Sequence, residues 1–345
     1  MSDPFAWPAV LGPLLRREDL SEELAAAAMR SVLAGEATPA QIAAFATGLR
    51  IKGETPAEMA GLVRAMLAAA APLSVPGPLL DTCGTGGDRA GTFNVSTLAA
   101  VVAVGAGQRV AKHGNRAASG RCGSADLLEA LGVAITLPPE GVAACIAEVG
   151  IGFCFAPVFH PAMRHAAVPR RELGVPTVFN FLGPLANPAR AAHQALGVAD
   201  PRMAPVMAEV LRQVGTSHAI VLYGHDGLDE LTTTTTSTML DVSADGVREL
   251  MVDPVELGLS AADPSDLLGG DVDRNVAIAK EVLAGHGGPA REMVLLNTAA
   301  ALVAADAAIS LMDGLEAAAR SIDEGRARDT LDGWVEVSRR LAAEA

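Results

Sequence analysis

The hydrophobic pattern of this chain changes period once, at the stiff connector Pro72-Leu73-Ser74-Val75-Pro76-Gly77-Pro78, and that change fixes what the chain can fold into. Before the connector the pattern is helical. Leu24, Ala28 and Val32, then Ile42, Phe45 and Leu49, recur at the spacing of one helix face. Thr38-Pro39-Ala40-Gln41 and Thr55-Pro56-Ala57-Glu58 each read as a capping box with proline at the first helical position, where no N–H is needed. Gly35 and Gly53 stand where the preceding helices should stop. After the connector the pattern becomes strand, turn, helix. Short strands are expected at 79–81, 109–112, 151–156, 195–199 and 217–223. A helix from about Ser96, one capped by Ser124 and ended by Gly132, and one over 202–214 alternate with them. The run Thr232 to Thr236, β-branched and flanked by Leu231 and Met239-Leu240, reads as a further strand. From Asp271 the chain is again mostly helix, ending at Trp334 to Ala343. The expected fold is α/β: a small N-terminal all-helical domain, residues 1–78, then a larger domain, residues 79–345, whose mainly parallel sheet is flanked by helices.

Composition narrows the function. The net charge is −14, and only eight Phe, two Trp and one Tyr are present. A phosphate-backbone binder needs a basic face and a base-stacking surface needs aromatics, so no nucleic-acid partner is expected. Cys83, Cys122, Cys145 and Cys154 show no CxxC spacing, which argues against structural zinc and fits a reducing compartment. The start MSDPFAWPAV lacks a signal-peptide pattern. Leu98–Gly107 is too short for a bilayer, and Leu295–Met312 carries Asn297 and Asp306. A cytoplasmic protein with no membrane partner is expected.

Four constellations carry chemistry. The first is Asp81-Thr82-Cys83-Gly84-Thr85-Gly86-Gly87-Asp88, followed by Thr92-Phe93-Asn94-Val95-Ser96-Thr97. Its glycines let backbone approach a ligand with no room for a Cβ, and its hydroxyls open a helix whose N-terminus favours an anion. It is neither a Walker A loop nor a dinucleotide fingerprint. The plain alternative is a tight turn with an ordinary cap. The second is Lys112-His113-Gly114-Asn115-Arg116, with Ser119, Arg121 and Ser124 beyond; it suits phosphate oxygens, or is a solvated basic loop. The third is Asp226-Gly227-Leu228-Asp229-Glu230, hard oxygen ligands for Mg²⁺ or a solvated turn. The fourth is His160-Pro161-Ala162-Met163-Arg164-His165 with Arg170-Arg171-Glu172. An arginine there suits a substrate carboxylate, or pairs with Glu172 on a helix surface.

The ordered set GTGGD, FNVST, KHGNR, HPAMRH with RREL, FNFLGPLANPA and GLDEL resembles the anthranilate phosphoribosyltransferases of tryptophan biosynthesis, across essentially the whole chain. The threonine run after Leu231 and the pair Ala117-Ala118, where many relatives have Ser-Val, depart from the usual family pattern. The resemblance implies transfer of phosphoribosyl from 5-phosphoribosyl-1-diphosphate (PRPP) to the amine of anthranilate, giving N-(5-phosphoribosyl)anthranilate and pyrophosphate, the second step from chorismate. Carried over by position, PRPP would be held by Gly84, Gly87, Asp88, Thr92, Asn94, Val95, Ser96, Thr97, Lys112, His113, Gly114, Asn115, Arg116, Ala117, Ala118, Ser119, Gly120 and Ser124. Ser96, Asp229 and Glu230 would hold two Mg²⁺, and Gly84, His113, Asn115 and Arg170 would meet anthranilate. The family fold adds a segment around 170–185 to the helical domain and forms a homodimer through helices. The residues suit this chemistry: loss of pyrophosphate needs charge stabilisation and a positioned amine, and no activated Ser, Cys or Lys nucleophile is framed here. A pyrimidine nucleoside phosphorylase of the same fold would carry a Lys-His-Ser-Thr-Gly-Gly loop in place of Asp81–Gly87. A nucleic-acid-binding relative of the fold is opposed by the charge.

Overall fold

Both proline-led capping boxes form. Thr38 Oγ1 accepts from the Gln41 N–H at 3.2 Å while the Gln41 side chain accepts from the Thr38 N–H at 2.8 Å, and Thr55 and Glu58 repeat the exchange. They start two of the four opening helices, α1 (Trp7–Leu15), α2 (Glu22–Leu33), α3 (Pro39–Lys52) and α4 (Pro56–Ala69). The computed structural model describes residues 5–117 and 121–344. Glu58 does more than cap. Fully buried, it accepts from the Leu20 N–H at 2.8 Å and pairs with Lys52 at 3.0 Å, so it ties the α1–α2 connection to α4.

The chain then alternates: β1 (Leu80–Gly84), α5 (Val95–Gly105), β2 (Val110–Gly114), α6 (Ser124–Leu131), α7 (Pro139–Val149) and β3 (Ile151–Phe155). A single turn, α8 (Ala156–Phe159), leads to α9 (Arg164–Leu173) and α10 (Phe179–Leu185). Next come β4 (His193–Gly197), α11 (Ala204–Val214), β5 (His218–Gly224), β6 (Ser237–Ser243) and β7 (Gly246–Val252). Four helices close the chain: α12 (Val272–Leu283), α13 (Pro289–Ala304), α14 (Leu311–Asp323) and α15 (Arg326–Glu344).

One seven-stranded sheet runs β3-β2-β1-β4-β5-β6-β7. The first five strands are parallel, and β6 and β7 are antiparallel additions at one edge. Alternate side chains sort the core into two. Ile220 and Leu222 face the layer of α5, α6, α7 and α12–α15. Ala219 and Val221 face α11 and the opening helices, and Ala166, Val178, Phe179, Phe181 and Leu182 from α9, α10 and the turn between them join that same core. Among the described residues no helix is long and apolar enough to cross a membrane.

Two local expectations fail. Thr232–Thr236 is not a strand; β6 begins only at Ser237. The threonine hydroxyls bond locally instead of leaving the backbone to a ladder: the Thr232 N–H donates to Ser237 Oγ, the Thr234 N–H to Thr232 Oγ1, and Thr234 Oγ1 to Asp226. Ser124 is the first residue of α6 and not its cap. Gly123 holds the cap position, and the Asp126 carboxylate accepts from its N–H at 2.9 Å.

Candidate active site

β1 stands where the strand order reverses, with β2 on one side and β4 on the other. The carboxyl ends of parallel strands open a crevice at such a reversal. Three connections converge there: the glycine loop after β1, the basic loop after β2, and the acidic turn after β5.

Asp229, in the turn after β5, closes against the ends of β1 and β4. Its carboxylate accepts from the Gly86 N–H at 2.7 Å. A Cβ at Gly84 would collide with that carboxylate, and one at Gly197 with the Asp229 backbone, so both neighbouring strands must end in glycine. Gly86 and Gly87 are different. A Cβ there would meet open space, and what requires glycine is the backbone, at φ +65° and +83°. The expectation that every loop glycine excludes a Cβ for want of room therefore holds at Gly84 only. Nor do all the loop amides face a ligand, because the Thr85 N–H donates to the Gly197 carbonyl at 2.9 Å.

The acidic groups are crowded. Burial, and then the charge of Asp88, push Asp229 up to about 7. Burial and the Asp229 charge push Glu230 well up, with Lys112 pulling the other way. Lys112 is itself buried and donates to the Thr82 carbonyl at 2.6 Å, with Ser96 Oγ at 3.5 Å; burial pulls its own value down. Thr82 Oγ1 donates to the Ser96 carbonyl at 2.9 Å, which pins the first turn of α5 to β1. With Asp81 already paired to His113, one buried ammonium is left to face Asp229, Glu230 and the half-buried Asp88, an excess of acidic groups that holds both Asp229 and Glu230 up. A hard divalent cation fits that excess, with Asp229, Glu230 and the Ser96 hydroxyl as oxygen donors. Asp81, Cys83 and His113 also bring donor atoms within 4.8 Å of one another, but those atoms are already engaged in hydrogen bonds.

On the basic loop, His113 Nδ1 lies 2.6 Å from Asp81 Oδ2, and Nε2 lies 2.9 Å from the Gly183 carbonyl of α10. Both nitrogens face acceptors, so both bonds form only when the ring carries two protons. Burial works against a charged Asp81, yet the His113 and Lys112 charges hold it below the usual carboxylate range. The Asn115 carbonyl accepts from the Ala125 N–H, and its side chain accepts from the Arg116 N–H. Arg116 is exposed and engaged with Asp126 and Glu129, while the Ala117 N–H donates to Asp126. Gly114 ends β2 against Ser124, whose Oγ donates to the Asn115 carbonyl. Ala118, Ser119 and Gly120 lie outside the described residues. On the glycine loop side, Thr92 bridges to Leu268, Val95 and Thr97 turn into the core, and Asn94 is held by Asn275.

Arg170, near the end of α9, is half-buried with its guanidinium 5.6 Å above the Phe179 ring, and burial lowers its value. Among the described residues neither Arg170 nor Arg171 pairs with Glu172, and Arg171 is exposed. Phe179 and Gly183 are four apart on α10, so one helix face carries both the platform under Arg170 and the acceptor for His113.

Two models of a glycosyl transferase family match the chain: its helical bundle domain over residues 8–70 and its α/β domain over residues 76–328. An anthranilate phosphoribosyltransferase of Nocardioides sp. is 55% identical over 339 residues, covering 97% of this chain and 99% of the relative. The chain belongs to the anthranilate phosphoribosyltransferase family. The family's Acidothermus cellulolyticus member is 57% identical over 343 residues, with 98% of this chain and 96% of the relative covered. The crystal structure of the anthranilate phosphoribosyltransferase from Thermus thermophilus superimposes with a TM-score of 0.91 at 45% identity, covering 96% of this chain and 99% of that one. The Saccharomyces cerevisiae anthranilate phosphoribosyltransferase in complex with PRPP and Mg gives 0.88 at 28% identity, covering 97% and 98%.

For an anthranilate phosphoribosyltransferase, the residues that brace the loops were the harder ones to find. Gln194 on β4 points its amide at Asp81 Oδ2 (3.3 Å) and the Pro184 carbonyl (2.7 Å). Asn297 on α13 accepts from the Leu231 N–H at 2.9 Å and donates to the Leu231 carbonyl at 2.8 Å, fixing the turn just after Glu230. The one available signal was a lone amide in the apolar stretch Val294–Val303.

Proposed function

We propose that the crevice binds PRPP and anthranilate and performs the family's transfer there, with release of pyrophosphate. The observation that carries the reading is the convergence of a glycine loop, a helix N-terminus and a crowded acidic turn at the strand-order reversal. PRPP would lie along Gly84–Thr97 and the basic loop Lys112–Ser124. Asp229, Glu230 and Ser96 would hold two Mg²⁺, whose chemistry is to neutralise the departing pyrophosphate. The saturated Arg116 would have to release Asp126 or Glu129 before touching phosphate. His113, with both nitrogens engaged, would hold the floor of the acceptor pocket in place between Asp81 and α10. Arg170, free of a carboxylate partner among the described residues, would take the anthranilate carboxylate in a bidentate fork and bring the amine to the ribose C1. The protein supplies position and charge, and anthranilate supplies the nucleophile.

We infer that two copies associate through the helical part. In support, Leu15 (86% exposed), Ile51 (65%) and Val168 (44%) lie on α1, α3 and α9, which pack on one another. Sedimentation at several concentrations reads the assembly state. Four free thiols suit a cytoplasmic setting. Loss of anthranilate fluorescence on adding PRPP and Mg²⁺ tests the reaction. Turnover that persists in excess EDTA, or in the Asp229→Asn, Glu230→Gln double variant, would refute the metal assignment.

A further inference from the structure

We propose that Gln194, on β4, is a positioning residue for the acceptor: with His113 it pins the C-terminal end of α10 to Asp81, and so sets where Phe179 holds the Arg170 guanidinium. The proposal rests on the functional reading above, in which Arg170 takes the anthranilate carboxylate.

α10 does not hold its own place. It is seven residues long, with Gly183 and Pro184 near its end. A helix this short is marginal alone, and Pro184 brings no N–H to the last turn. The final carbonyls of a helix must find donors outside it. Here they find them on the sheet. The Gly183 carbonyl accepts from His113 Nε2 on β2 at 2.9 Å, and the Pro184 carbonyl accepts from Gln194 Nε2 on β4 at 2.7 Å. Among the described residues the next side-chain donor to the Pro184 carbonyl is the Cys83 thiol, weak and 3.8 Å away.

Both tethers rest on one oxygen. Asp81 is fully buried and lies opposite Gln194 in the β1–β4 register. Its Oδ2 is 2.6 Å from His113 Nδ1 and accepts from Gln194 Nε2 at 3.3 Å. Gln194 is buried as well. Turning its amide over would set the amide oxygen against the Pro184 carbonyl and the Asp81 carboxylate, so the side chain keeps one orientation. The chain beyond the helix is tied separately, by His160 Nε2 to the Ala186 carbonyl and by Asn187 Nδ2 to the Ala111 carbonyl, each at 2.8 Å. His113 and Gln194 hold the helix itself.

The consequence lies at the other end of α10. Phe179 opens the helix, four residues before Gly183, and carries the Arg170 guanidinium 5.6 Å above its ring. Without the Gln194 amide, the buried Pro184 carbonyl must move to find a donor, and Phe179 moves with it. The loops on the PRPP side are braced instead by Asp229 at Gly86 and by Asp126 at Ala117.

Initial rates with each substrate varied in turn, on the wild type, Gln194→Met, Arg170→Ala and the double variant, test this. Methionine keeps the length of the side chain and loses both donor protons. Gln194→Met should raise the anthranilate KM about five- to ten-fold, the ratio for one buried hydrogen bond lost, and leave the PRPP KM nearly unchanged. Added to Arg170→Ala, it should raise the anthranilate KM little further, because the group it positions is gone. Effects that multiply, or two KM values that rise together, would mean that Gln194 only supports the fold, and would overturn the proposal. Phe179→Leu covers the case in which Gln194→Met does not fold. It should split the two KM values in the same way, and an anthranilate KM that it leaves alone overturns the proposal. A wild type that consumes no anthranilate in the presence of PRPP and Mg²⁺ brings down the functional reading and this proposal with it. An active wild type matched in both KM values by Gln194→Met brings down the proposal alone.

Discussion

Replacing Arg170 by alanine should raise the anthranilate KM by about 10- to 100-fold and leave the PRPP KM nearly unchanged. The magnitude follows from what the side chain lacks and what it rests on. The guanidinium is half-buried over Phe179, and no carboxylate satisfies it among the described residues. A charge-assisted hydrogen bond to a bound carboxylate is worth about 1.5–3 kcal/mol, which converts to that KM range. The stack on Phe179 contributes roughly 0.5–1 kcal/mol to stability, so the melting temperature should move little. Arg170→Lys keeps the charge and loses the planar fork, so it should fall between the two. Arg171 is the control: exposed, and about 100° further round the helix. Initial rates from anthranilate fluorescence, with each substrate varied in turn, read all three variants. If Arg171→Ala harms anthranilate use and Arg170→Ala does not, the assignment is wrong by one residue. If Arg170→Ala weakens PRPP instead, the acceptor pocket lies elsewhere.

Four further outcomes are expected. With Asp229 raised to about 7 and Glu230 pushed well up beside it, Mg²⁺ binding should release more protons at pH 6 than at pH 8, and the apparent Mg²⁺ affinity should climb between them. Because the folded state keeps that proton longer than the unfolded chain, the metal-free protein should also lose stability as pH rises from about 4 to about 7. Calorimetry in buffers of different ionisation enthalpy checks the proton count, and equal release at both pH values contradicts it. Gly84→Ala should abolish metal binding by displacing the Asp229 carboxylate, whereas Gly87→Ala, with room for its methyl, should carry only a backbone strain of roughly 1 kcal/mol; equal losses would count against the geometry. Glu58→Ala strands the Leu20 and Thr55 amides and leaves the Lys52 ammonium to Asp19, and should cost about 2–6 kcal/mol in urea unfolding without changing either KM.

The parts of this molecule that were legible in the sequence are those whose cause is local. Thr38 and Gln41 find each other within one turn, and β1 to β5 are short apolar runs with punctuation at their ends. The acidic pair was legible because two adjacent carboxylates at a strand end demand a reason. What was illegible depends on distance along the chain. Asn275 reaches Asn94 across 181 residues, and Asn297 reaches Leu231 across 66. No periodicity announces such a pairing. The threonine run misled because β-propensity describes a packed, pleated surface, and these hydroxyls had nearer partners in Asp226 and in one another. The partners of Arg116 on α6, Asp126 and Glu129, were not legible either, because they lie ten and thirteen residues on.

Arg170 and His113 rest on one helical ruler. Phe179 supports one and Gly183 anchors the other, and four residues of helix advance about 6 Å. That interval cannot be stretched gradually, since a helix lengthens only by unwinding or by gaining a whole residue. A molecule held between the two groups therefore meets a fixed gauge. An acceptor seated between them with its carboxylate and amine further apart would cost Arg170 its stack on Phe179 or His113 its bond to Gly183.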